Sequence, residues 1–139
     1  MPLADPQEQA QRFAHVRAAH RTELQEDYVE LIAELIAAEG EARATDLAKR
    51  MGVSAATVAN TLTRLKRDGL VEARAYRSIF LTKQGVAMAA RSQARHEDVL
   101  RFLLKLGVST EIATIDAEGI EHHVSEETLA AMRAFGRSS

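Results

Sequence analysis

The sequence predicts a mostly α-helical protein, a winged helix-turn-helix domain followed by an all-helical domain. Three observations carry that expectation. Aromatic residues make up only 4% of the 139 residues, with no Trp, which disfavours broad sheets. Apolar residues recur at helical spacing in several separate segments. Two short β-like runs between residues 70 and 82 interrupt this pattern just after a pair of short helices.

Residues 1 to about 10 are polar and punctuated by proline, and are expected to fray, with Phe13 and Val16 marking a short helical lead-in from Gln11. The first strong helix follows, where Leu24, Tyr28, Leu31, Ile32, Leu35 and Ile36 form one apolar stripe that Gly40 ends. A second helix fits Thr45 to Met51, with Thr45 as N-cap and Leu47, Ala48 and Met51 inward; Gly52 and Val53 break it. Ser54 caps a third helix to about Asp68, with Val58, Leu62 and Leu65 buried.

After Asp68 and Gly69, the runs Leu70 to Arg74 and Ile79 to Thr82 read as the strands of a wing around a polar tip. A long helix then spans about Lys83 to Leu106, its stripe formed by Val99, Leu103 and Leu106, and Gly107 ends it. Two further helices fit Thr110 to His122 and Glu126 to Phe135, the last capped by Ser125. The expected organisation is an N-terminal extension over 1–20, a winged-helix domain over 21–83 and a helical domain over 84–139.

No apolar run approaches the roughly 18 residues of a membrane span, so a soluble chain with no membrane partner is expected. The start MPLADPQEQAQRF lacks the basic and apolar regions of a secretory signal, and a cytoplasmic location is the simplest expectation. With no cysteine, disulfides and thiolate metal sites are excluded.

The formal net charge of -2 conceals a strong asymmetry. From Arg43 to Lys83, nine basic residues face three acidic ones, a local balance of +6. From Gly107 to Met132, six carboxylates meet no Lys or Arg. The two regions call for different partners, a polyanion and a cation.

In the basic region, a buried stripe of Val58, Leu62 and Leu65 puts Ala56, Asn60, Thr63 and Arg67 on the outer face of the third helix, with Thr57 and Arg64 at its edges. Small residues at the N-terminal end, from Ser54, allow close approach to a major groove, where Ala56 and Thr57 offer methyl groups to thymine and Asn60 suits adenine. Arg64, Arg67, Arg74 and Arg77 suit phosphates, with Tyr76 and Arg77 at the wing tip. A solvated basic face on an ordinary three-helix core is the competing reading, and the ordered combination of turn, DG pair and β-ribbon favours DNA.

In the acidic region, Glu118, Glu121 and His122 fall at i, i+3 and i+4, which places two carboxylates and an imidazole on one helical face. Like charges so spaced repel unless a cation lies between them. His96 lies beside the apolar stripe of the long helix, and Asp27 and Glu30 turn away from the stripe of the first strong helix. Taken singly, His96 also reads as a packed core histidine and Asp27 with Glu30 as a solvated flank. If they converge, four carboxylates and two imidazoles suit Mn²⁺ or Fe²⁺ better than structural zinc, with zinc still competing in vitro.

The runs EDYVELI (Glu26 to Ile32), VSAATVANTLTRLKRDGLVE (Val53 to Glu72), YRSIFLT (Tyr76 to Thr82), RHE (Arg95 to Glu97), FLLKLGV (Phe102 to Val108) and DAEGIEHHVS (Asp116 to Ser125) resemble the diphtheria-toxin-repressor family, in its manganese-responsive branch. The resemblance covers residues 20 to 135. It implies a homodimeric repressor of manganese uptake and homeostasis genes that binds a palindromic operator. The metal ligands it implies are Asp27, Glu30, His96, Glu118, Glu121 and His122, holding one or two Mn²⁺ at the junction of two domains. The iron-responsive branch has Met in place of Asp27 and Cys in place of Glu118, and His123 is outside the implied set. The chain ends soon after the last helix, so the SH3-like domain of the iron-responsive relatives is expected to be absent.

Beside this reading stand a purely structural dimer, which leaves the +6 segment unexplained, and two further alternatives. One keeps the fold but makes Fe²⁺, Zn²⁺ or an organic ligand the effector. The other is a di-metal carboxylate enzyme, which needs two Glu-x-x-His motifs; Gly119 stands three before His122, and the chain has no such motif. No catalytic residues are expected.

Overall fold

The computed structural model describes residues 2–73 and 78–138, and among them six helices and two short strands follow in the expected order. Arg74, expected to end the first strand and hold phosphate, and the expected wing-tip residues Tyr76 and Arg77 lie outside the described residues. None of the helices is long and apolar enough to cross a membrane. The chain divides into two compact units, one over Gln25–Gln93 and the other formed by the segments up to Leu24 and from Ala94.

Helix α1 runs from Pro6 to Glu39. The expected fraying of the first ten residues is therefore corrected. Asp5 Oδ2 accepts the main-chain N–H groups of Gln7 and Glu8, and Pro6 fills the first helical position, where a missing N–H is harmless. Polar composition outweighed that signal in the sequence reading.

In the Gln25–Gln93 unit, Tyr28, Ile32 and Leu35 of α1 are buried as expected, and Val29, which lay off the expected stripe, is also fully buried. Helix α2 spans Ala44–Met51 and α3 spans Ala55–Arg67. Thr45 is not the N-cap of α2. The backbone is extended at Arg43, whose carbonyl already receives Asp46 and Leu47 N–H, so the helix begins two residues too early for a hydroxyl cap at Thr45. Between α2 and α3, Gly52 adopts a left-handed φ of 70°, which its missing Cβ permits at little cost. Ser54 caps α3 as expected, accepting Thr57 N–H.

Strands β1 (Val71–Ala73) and β2 (Ile79–Leu81) pair antiparallel, with Val71 opposite Leu81 and Ala73 opposite Ile79. Ala42 joins them by a bridge to Ile79. Leu47, Val58, Leu62, Leu65, Leu70, Val71 and Ile79 close one core with the α1 stripe.

Helices α4 (Lys83–Leu106), α5 (Thr110–Ile120) and α6 (Glu126–Arg137) follow. In the second unit, Val99, Leu103, Ala113, Ala117 and Leu129 form a separate small core. Phe102 meets Phe135 edge-on at 5.5 Å, and the buried Asp98 accepts from Arg133 Nε at 2.8 Å. Leu106, expected in the α4 stripe, is 55% exposed: it is the last residue of the helix, past the end of this core. Helix α5 stops at Ile120 rather than His122, because His122 N–H reaches only the carbonyl of Gly119, three residues back.

Candidate metal centre and recognition face

The early end of α5 sets the local geometry. Glu121 occupies its C-cap and residues 121–123 turn away, so Glu118 projects from the last turn while Glu121 and His122 are buried. His96 Nδ1 lies 2.7 Å from Glu121 Oε2 and 3.6 Å from Glu118 Oε1. Donor atoms of His96, Glu118 and Glu121 all fall within 4.8 Å of one another.

Of the two carboxylates beside His96, Glu121 is the buried one. Its side chain is 1% exposed, and Oε1 accepts no hydrogen bond among the described residues although His122 Nε2 stands 3.3 Å away. Leaving a buried polar atom so placed costs about 1–3 kcal/mol, more when it is charged. A divalent cation removes the cost, and the donor set of carboxylate oxygens and imidazole nitrogens without sulfur fits a hard-to-borderline ion. The residues present therefore fit a bound metal.

Arg95, next to His96, holds the turn. Its guanidinium donates to the carbonyl of Glu121 (3.0 Å), the carbonyl of Val124 (2.6 Å) and Glu126 Oε1 (2.7 Å). In the sequence, only its place beside His96 marks Arg95. In the other unit, Glu30 Oε2 accepts a hydrogen bond from the buried Ser92 hydroxyl at 2.9 Å, and Asp27 is partly exposed. Ser92 carried no sequence signal, since its partner lies 62 residues away. His96, Glu118, Glu121 and His122 are thus gathered in one unit, while Asp27 and Glu30 belong to the other.

On α3, Ser54, Ala56, Thr57, Asn60, Thr63, Arg64 and Arg67 are all exposed, opposite the buried Val58, Leu62 and Leu65. An uncovered helix face of small and hydrogen-bonding residues beside arginines can enter a groove and reach phosphates.

Both parts of the chain match models of one family. The iron-dependent repressor N-terminal DNA-binding domain matches residues 20–79, and the iron-dependent repressor metal-binding and dimerisation domain matches residues 82–137. Fold, site and matches define a metal-responsive, DNA-binding transcriptional repressor, and the family's members are repressors rather than enzymes. The chain belongs to the iron-dependent repressor family, the family of the diphtheria-toxin repressor. It is 55% identical over 133 residues to the transcriptional regulator MntR of Escherichia coli O157:H7, covering 96% of this chain and 86% of that protein. It is 38% identical over 104 residues to the HTH-type transcriptional regulator MntR of Lysinibacillus sphaericus, covering 75% of each. Among solved structures, it resembles a manganese-dependent transcriptional repressor in complex with manganese (TM-score 0.73, 29% identity, 81% of this chain) and the manganese regulator SloR (0.71, 28%, 80%). The chain spans about half the length of these two solved chains, 52% of each.

Proposed function

We propose that this repressor answers to Mn²⁺ and controls genes of manganese uptake and homeostasis in the cytoplasm. The observation that carries the reading is the convergence of His96, Glu118 and the buried Glu121, whose Oε1 accepts no hydrogen bond among the described residues. A carboxylate at residue 118 favours an oxygen-seeking ion over the thiophilic metals that a cysteine there would select. The names of the relatives support the same ion.

The ligand set we propose is Asp27, Glu30, His96, Glu118, Glu121 and His122, taking one or two ions; Asp27 and Glu30 enter it through the family resemblance. A bound divalent ion supplies positive charge that offsets the repulsion of these carboxylates. Domain roles follow the sequence division, with 21–83 reading DNA, 84–139 binding metal and pairing with a second copy, and 1–20 an extension. The recognition face we propose is Ser54, Ala56, Thr57, Asn60, Arg64 and Arg67, with Tyr76 and Arg77 added from the sequence alone. In a homodimer, two such faces about 34 Å apart would fit a palindromic operator. Whatever binds the DNA-competent arrangement more tightly than others shifts the population towards it.

The test is fluorescence anisotropy on promoter DNA at fixed salt, with Mn²⁺, anaerobic Fe²⁺ and Zn²⁺ titrated separately. Mn²⁺-dependent binding that EDTA reverses, and that Glu30→Ala with His122→Ala abolishes, is expected. Equal affinity with and without Mn²⁺ overturns the reading, and a response to Fe²⁺ or Zn²⁺ alone reassigns the effector.

A further inference from the structure

We propose that His20, Glu23 and His123 form a second metal site, distinct in its donors from the carboxylate-rich centre, that takes Zn²⁺ or a similar borderline divalent cation. All three belong to the same compact unit. His20 and Glu23, three residues apart on α1, share a helical face, and His123 arrives from the turn after α5. Glu23 Oε2 lies 2.8 Å from His123 Nε2 and 3.3 Å from His20 Nδ1, and the two rings meet edge-on with centroids 4.7 Å apart. One donor atom from each residue falls within 4.8 Å of the other two.

The chemistry differs from that of the first centre. Two imidazoles and one carboxylate are the donor set of open zinc sites, in which three protein ligands leave a position for water or another ligand. A nitrogen-rich set binds Zn²⁺ more tightly than Mn²⁺ by the general order of divalent affinities.

Access is open. The three side chains line a cleft of about 540 Å³, whose wall also includes Asp116, Ile115 and Ile120. A metal there would join α1 to the turn that carries Glu121 and His122, which gives the cell's zinc level a direct hold on the segment bearing the first centre's ligands.

The experiment uses the full chain. Wild type, His20→Asn with His123→Asn, and Glu118→Gln with Glu121→Gln are loaded with Zn²⁺ or Mn²⁺, gel-filtered, and assayed for metal per chain. The histidine double variant is expected to keep one Zn²⁺ equivalent fewer than wild type with its Mn²⁺ content unchanged, and the carboxylate double variant is expected to keep that Zn²⁺. Equal Zn²⁺ content in wild type and the histidine variant overturns the site. Cobalt supplies a second readout on wild type alone: paramagnetic broadening of the His20 and His123 ring protons by Co²⁺ is expected in the Mn²⁺-filled protein, and unbroadened rings overturn the proposal. Loss of Mn²⁺ binding in the carboxylate variant bears on the first centre only, so the two readings fail separately.

Discussion

The Nε of Arg95 donates to the main-chain carbonyl of Glu121 across 3.0 Å, so the residue preceding one metal-ligand candidate fixes the backbone of another. Because the same guanidinium also holds Val124 and Glu126, three acceptors in one turn depend on a planar fork. Arg95→Ala is expected to weaken Mn²⁺ affinity about 10- to 100-fold, the usual cost of losing a group that orients ligands. Arg95→Lys should recover little, since an ammonium cannot span the three acceptors. Titration of free Mn²⁺ by electron paramagnetic resonance reads both, and unchanged affinity in the Ala variant removes the positioning role.

Glu121→Gln separates the stability of the metal-free protein from its response to metal. Glutamine keeps the shape and replaces a buried carboxylate whose Oε1 accepts no hydrogen bond among the described residues. The metal-free variant is therefore expected to be no less stable than wild type. Mn²⁺ at about 100 times its Kd should stabilise wild type by about 2.7 kcal/mol, and this gain should vanish in the variant. Thermal unfolding with and without Mn²⁺ measures it. A retained Mn²⁺-induced rise in Tm would place the ion elsewhere.

On α3, Asn60 and Arg67 have different expected roles and hence different signatures. Asn60→Ala should cost about 1–3 kcal/mol and relax preference at one base pair. Arg67→Ala should weaken binding to all sequences and lower the salt slope by about 1. Anisotropy on the operator and on scrambled DNA between low and moderate salt distinguishes them, and identical losses on both DNAs for Asn60→Ala would take it out of base recognition.

What could be read in advance was what is local. Val58, Leu62 and Leu65 sit within two turns, so period 3.6 alone identified the buried side of α3 and, by subtraction, its exposed face. Glu118, Glu121 and His122 share the same short spacing, but helical periodicity misplaces the last two, which lie in the turn after α5 ends at Ile120. Val29 escaped because it lies beside the chosen stripe, and its burial depends on packing that periodicity does not encode. Arg95 and Ser92 escaped because their partners lie 26 to 62 residues away in sequence. His123 was set aside by family pattern, although Glu23, a hundred residues earlier, meets it at 2.8 Å.

The junction of wing and α4 gives the last prediction. Thr82 N–H donates to the Leu70 carbonyl at 3.0 Å, and the Thr82 hydroxyl donates to Gly69 O at 2.6 Å while accepting Gly85 N–H at 3.1 Å. These bonds draw the first turn of α4 so close to β1 that a Cβ on Gly85 would collide with the Leu70 carbonyl oxygen, a backbone atom that cannot swing aside. The Leu81 side chain closes in at 3.2 Å from the same direction. In most helices Gly→Ala stabilises by roughly 0.5–1 kcal/mol, so the sign here is a direct test of the contact. Gly85→Ala is expected to destabilise by about 1–3 kcal/mol, as overpacking does, because the wing must separate from α4 or the helix must start later. Urea unfolding followed by circular dichroism gives the value. A gain in stability would mean that α4 begins farther from β1 than this geometry requires.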